Sequence, residues 1–121
     1  MNIDNTWHKY YRYMSVEELN QVRLNKELIN RGEGIYVCDN LDDVLQFINY
    51  RAPALKLDEN RNIVEQIYTK NEDIRIVEFL ADSNKFEESF DHNTELMNGA
   101  KAFINQEDRL TIIIINVYTV E

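Results

Sequence analysis

Cysteine, proline and glycine are all scarce in this chain of 121 residues, which holds one Cys (Cys38), one Pro (Pro53) and three Gly. A lone cysteine closes no internal disulfide, and so little Pro and Gly excludes collagen-like or linker-like sequence and leaves no composition break at which to divide the chain. Positive charge is short as well. Thirteen Lys and Arg against 22 Asp and Glu give a formal net charge of -9, which removes the basic field that draws proteins to a nucleic acid backbone or an anionic membrane. No apolar run approaches the roughly 18 residues of a membrane-spanning helix; the longest, Thr111 to Val120, is broken by Asn116 and Thr119. The N-terminus, Met1 to Asn5, has neither the charged nor the apolar region of an export signal, so a soluble cytoplasmic protein is expected. What is present is apolar residue enough, 44%, for one domain to enclose one core.

The acidic excess is uneven. Residues 1–31 carry five cations and four anions, so the whole surplus lies in residues 32–121. Trp7 to Met14 is aromatic-rich without helical spacing and predicts a strand. Ser15 with Glu18 three residues on forms a capping box, and Val16, Leu19 and Val22 then predict a helix over 16–28. Gly32-Glu33-Gly34 reads as a turn before a strand at Ile35 to Cys38. Asn40 and Asp43 repeat the capping pattern ahead of Leu41, Val44, Leu45 and Ile48, which predict a second helix with Val44, Leu45 and Ile48 buried and an end before Pro53. The β-rich runs 62–69 and 73–80 have hairpin spacing, with a short helix as the alternative for the first. Residues 82–98 read as a long loop or one irregular helical turn pinned by aromatics, and the chain closes with strands at 100–104 and 110–120, the latter apolar on both faces at Ile112 to Ile115 as a central strand would be. The expectation is an α+β fold, with two N-terminal helices packed on a mainly antiparallel β-sheet, in a single domain spanning 1–121.

Most site chemistries find no support. His8 and His92 stand far apart, with no Gly-x-Ser-x-Gly elbow or activated cysteine, so a hydrolytic triad is not expected. Asp91-His92 lacks a second ligand at metal-binding spacing, and Asp39, Asp42 and Asp43 complement a helix dipole without completing a calcium loop. Two charged residues inside strand-like segments remain. Arg12, in Tyr10-Tyr11-Arg12-Tyr13, is either a stacked anion-binding guanidinium or the partner of a carboxylate. Glu78, between Ile76 and Leu80 on one strand face, is either a functional acid or the inward partner of an arginine such as Arg12 or Arg75.

The run Tyr11-Arg12-Tyr13-Met14-Ser15 with its following helix, then Gly34 to Asp39 leading into the helix from Asn40, resembles the first half of the cholera-toxin-like ADP-ribosyltransferases. The resemblance implies that Arg12 holds the phosphate and ribose of NAD, with Tyr11, Tyr13 and Tyr36 beside it as the cofactor-binding set. The family's Ser-Thr-Ser segment falls on Val37-Cys38-Asp39, and its catalytic Glu falls near Gly99 to Lys101, with Glu95 and Glu107 the nearest carboxylates. The resemblance therefore implies a non-catalytic or weakly catalytic ADP-ribosyltransferase-like domain that binds NAD or a related phosphate ligand at Arg12. The alternative is a small acidic inhibitor, a protein that imitates DNA to engage a basic nucleic-acid-binding partner. Abundant Ile and Asn suit an AT-rich bacterial or phage genome.

Overall fold

A computed structural model describes residues 5–49, 54–67, 73–90 and 99–120. Along the chain the elements are β1 (Trp7–Ser15), α1 (Val16–Asn25), β2 (Glu27–Ile29), β3 (Ile35–Val37), α2 (Leu41–Asn49), β4 (Ala54–Leu57), β5 (Ile63–Ile67) and β6 (Ile74–Asp82). A 3-10 turn at Ser83–Lys85 follows, then β7 (Glu87–Ser89), β8 (Ala102–Asn105), β9 (Arg109–Thr111) and β10 (Ile113–Thr119).

The protein is mostly β, and the expected pair of helices packed on one sheet is not what forms. The strands divide into small antiparallel sheets, ordered β1-β6-β10, β3-β8-β7, β2-β9 and β4-β5 among the described residues. A single bridge joins the two larger ones: Tyr11 N–H donates to the Cys38 carbonyl at 2.7 Å and Cys38 N–H returns to the Tyr11 carbonyl at 2.8 Å. Short strands ending in tight turns explain the fragmentation, because three to five residues cannot extend a ladder far before the chain leaves it.

Both ends of α1 are set locally. Ser15 accepts from Glu18 N–H at 3.1 Å and so caps the start. The helix stops at Asn25, short of the expected 28, because Lys26 takes a left-handed conformation (φ 59°) and its N–H closes onto the Val22 carbonyl. Glu27 to Ile29 are thereby freed to pair with β9. Ahead of α2, Asn40 Oδ1 accepts from Asp43 N–H at 2.8 Å. Val44 and Ile48 are buried as expected, while Leu45 is only half-buried.

Two strand assignments change. Residues 63–67 pair with β4, not with 73–80, so the expected hairpin across 70–72 does not form; residues 68–72 lie outside the described ones. The central strand is β6, flanked by β1 and β10, and it is buried along most of its length, with Val77, Phe79 and Ala81 fully enclosed. The isoleucine-rich β10 pairs only with β6 among the described residues and so occupies an edge instead. The expected loop at 82–98 contains the 3-10 turn and β7, while 91–98 fall outside the described residues.

The β1-β6-β10 sheet is covered on both faces. One face carries Tyr10, Met14, Val77, Phe79 and Ala81 into a core completed by Leu19 and Val22 of α1 and by Leu28, Ile35, Val37, Leu110 and Ile112. Tyr10 anchors the start of the 82–98 segment there, its ring 4.5 Å from that of Phe86. The other face sets Ile74 and Ile76 against Val44 and Ile48 of α2, with Cys38, Tyr11 and Tyr13 around them.

Candidate ligand-binding cavity at Arg12

Beyond the Tyr11–Cys38 bridge, β1 and β3 part, and the gap opens into a cavity of about 500 Å³. Its walls are Tyr11 to Ser15 of β1, Glu18 of α1, Tyr36 to Cys38, Val44 and Phe47 of α2, and Ile74, Ser89 and Ala102 of β6, β7 and β8. A volume of this size is that of a typical small-molecule site, as is the mixture of apolar wall and few polar groups. Gly34, in the turn into β3, sits at φ 96°, a conformation that favours glycine, and a Cβ there would lie 2.6 Å from Ile104 Cδ1, so that side chain would have to shift.

All four residues of the expected cofactor-binding set, Arg12, Tyr11, Tyr13 and Tyr36, line this one cavity. The guanidinium is held in place from two sides. Arg12 Nη1 donates to the Tyr36 carbonyl at 2.8 Å, spanning the gap where the two strands have separated. Arg12 Nε donates to Glu18 Oε2 at 3.2 Å, and Nη2 reaches Oε1 at 3.5 Å. An arginine offers five N–H groups; these contacts use three, which leaves two without a partner among the described residues. Arg12 is thus the partner of a carboxylate, one of the two sequence alternatives, and it also lines the cavity.

Glu18 was legible only as half of a capping box. Its amide does bond to Ser15, but its carboxylate turns away from the helix start to Arg12, six residues back across the strand-to-helix corner. That placement needs the corner at Ser15, which no periodicity announces. Ser89 and Ala102 likewise reach the cavity from strands far along the chain and carried no sequence signal.

Cys38 contributes a wall and not a nucleophile. Burial, and then the nearby Asp43 and Asp39 carboxylates, push its thiol up to about 12, so at neutral pH it stays protonated. Glu18 is the one carboxylate among the described lining residues. Glu107 pairs with Lys85 at 3.1 Å away from the cavity, and Glu95, like His92, lies outside the described residues.

Glu78 occupies a different setting. It faces neither Arg12 nor Arg75. Tyr118 Oη donates to its Oε2 at 3.0 Å, Asn116 Nδ2 to its Oε1 at 3.2 Å, Tyr11 adds a further bond, and Lys9 Nζ stands 3.7 Å away. Burial raises the carboxyl, but the bonds from Asn116, Tyr11 and Tyr118 and the Lys9 charge outweigh it, so Glu78 sits below the usual carboxylate range. Arg75 turns aside, donating to the Ile74 carbonyl at 2.9 Å.

No protein-family model, curated protein or solved structure matches this chain. No helix among the described residues is long and apolar enough to cross a membrane.

Proposed function

We propose that this is a cytoplasmic ligand-binding domain whose cavity at Arg12 takes a nucleotide-like phosphate ligand, NAD or a relative of it, with little or no turnover. The observation that carries the reading is the convergence of Arg12, Tyr11, Tyr13 and Tyr36 on one cavity of ligand size. Two unused guanidinium N–H groups suit the adjacent oxygens of a phosphate or a ribose. The apolar wall of Val37, Val44, Phe47 and Ile74 suits a planar ring. The resemblance of the Tyr11 to Ser15 segment to ADP-ribosyltransferases supplies the ligand class. Binding without chemistry is supported by the charge state of the wall: Glu18 is tied to Arg12, and Cys38 is protonated. The Glu18 carboxylate also weakens the attraction of Arg12 for an anion, so affinity for NAD is modest.

Thermal melting with NAD and with ADP-ribose tests this directly. A ligand that binds only the folded state raises the melting temperature in proportion to the logarithm of its concentration above Kd. The expected result is a shift that grows through the millimolar range, disappears in Arg12→Ala and enlarges in Glu18→Gln, which keeps the side-chain shape and removes the competing charge. No shift with either ligand at concentrations about tenfold above that range overturns the proposal.

A further inference from the structure

The cavity at Arg12 differs from one end to the other. One end holds Arg12 and Glu18, whose opposite charges are paired at 3.2 Å. At the other, Cys38, Tyr11, Tyr13 and Phe47 belong to a single apolar cluster with Val44 and Ile74, and all six line the cavity. Tyr11, Tyr13 and Phe47 make that end largely aromatic, and no charged side chain belongs to it among the described lining residues.

Charge nevertheless reaches the aromatic end from behind its wall. Asp39 follows Cys38 in the chain and Asp43 precedes Val44, and neither lines the cavity. After burial itself, the charges of Asp43 and Asp39 are what hold the Cys38 thiol up. Neutral donors meet both carboxylates: Asn40 Nδ2 donates to Asp39 Oδ1 at 3.1 Å and to Asp43 Oδ2 at 2.9 Å, and the Lys101 amide donates to the same Asp43 oxygen at 3.2 Å. Neither forms an ion pair among the described residues. No paired cation therefore offsets the negative field that the two set up at the thiol.

A positive group at the aromatic end is favoured by two separate features, the field of Asp39 and Asp43 and the negative faces of the rings. A group with N–H donors is not. The carboxylates stand behind an apolar lining, so an ammonium entering here would give up water for few acceptors. A quaternary nitrogen has no N–H to satisfy, and aromatic-lined sites suit it for that reason.

We infer that the cavity takes a zwitterionic phosphate ester, its phosphate on Arg12 and a quaternary nitrogen among Tyr11, Tyr13 and Phe47. The inference rests on the reading of Arg12 as a phosphate site and narrows the ligand. Two kinds of molecule share this chemistry: a pyridinium nucleotide, whose ring nitrogen is quaternary, and a phosphocholine. A cation that offsets part of the phosphate charge also suits a protein of net charge -9, which repels ligands that are anionic throughout.

Thermal melting of the full chain with two matched pairs of ligands tests this. Nicotinamide mononucleotide is compared with its reduced form, which keeps the ring and loses its charge. Phosphocholine is compared with phosphoethanolamine, which has an ammonium in place of the quaternary nitrogen. In each pair that binds, the quaternary member is expected to bind about threefold to tenfold more tightly. Shifts confined to the nucleotide pair identify the ligand as a pyridinium nucleotide. Shifts confined to the choline pair leave the inference standing and remove the nucleotide reading. Equal affinities within a pair that binds, or no shift with either quaternary compound, overturn the inference. The nucleotide reading then survives if ADP-ribose, which has no cationic group, still raises the melting temperature, and falls if it does not. Asp39→Asn removes one carboxylate behind the wall at an exposed position, and is expected to weaken whichever quaternary compound binds by about threefold. Unchanged or tighter binding by that variant overturns the placement of the cation at this end.

Discussion

The two faces of the β1-β6-β10 sheet handle polarity in opposite ways. On the Phe79 face every inward position from Tyr10 to Ile112 is apolar and covered by α1 or by the smaller sheets, and Arg12 stands at the margin where β1 and β3 separate. On the other face α2 covers only the end near Ile74 and Ile76, and past its reach comes Glu78, surrounded by donors. At the limit of its apolar cover one face thus carries Arg12 and the other Glu78. The two differ in how completely they are matched. Glu78 has partners from the two strands that flank it, Lys9 and Tyr11 on β1 and Asn116 and Tyr118 on β10, which is how a buried charge is kept from destabilising a sheet. Arg12 is held by one carboxylate and one carbonyl and fronts a cavity, so its charge is matched on one side only.

The sharpest way to break the contrast is to attack the apolar face. Phe79 is fully enclosed between Tyr10 and the α1 side of the core, with ring centroids 6.3 Å apart for the aromatic pair. Phe79→Ala is expected to cost about 3–5 kcal/mol in urea denaturation, as loss of a buried aromatic does. A cost below about 1 kcal/mol would mean that this face is loosely packed and that the two faces do not differ as described.

Much of this was readable in advance, and the failures have physical causes. Helix starts at Ser15 and Asn40 follow from side chains bonding amides three residues on, a local event that spacing reveals. Arg12 stood out because an arginine inside an aromatic strand has few explanations. The sheet architecture was not readable, since strand order is decided by pairings between residues far apart, such as Tyr11 with both Glu78 and Cys38. The Ile112–Ile115 run misled for the same reason: continuous apolarity signals burial on both faces, yet here Ile112 enters the core while Ile115 sits on an open edge. For Glu78 the expected partner was an arginine, whereas three neutral donors and one lysine meet it, a combination that only the register of β10 against β6 brings together.

A smaller effect is expected on the polar face, and it depends on pH. Because Glu78 titrates lower when folded than when unfolded, its charged form adds stability that is complete above the unfolded value near 4.3 and is lost as pH falls through the lower folded value. Glu78→Gln should therefore cost roughly 1–3 kcal/mol at pH 7, with the gap between variant and wild type narrowing as pH drops below about 4. Parallel stability curves for the two proteins from neutral to acid pH would contradict the matched-charge account of this face.

The smallest effect belongs to the Arg12–Glu18 pair, and its smallness is the point. The two side chains are 22% and 20% exposed, close to a cavity that admits water, so their attraction is partly screened. A double-mutant cycle with Arg12→Ala and Glu18→Ala should give a coupling of about 0.5–1 kcal/mol. Arg12→Ala alone costs somewhat more than Glu18→Ala, because it also strips the Tyr36 carbonyl of the guanidinium N–H that bridges the parted strands. A coupling above about 3 kcal/mol, the range of a fully buried pair, would make Arg12 as structural as Glu78. The guanidinium would then be closed to any ligand, and the contrast between the two faces would vanish. A weak coupling is what the proposed ligand-binding role of Arg12 requires, because a Glu18 held by so little yields to a competing anion at small cost.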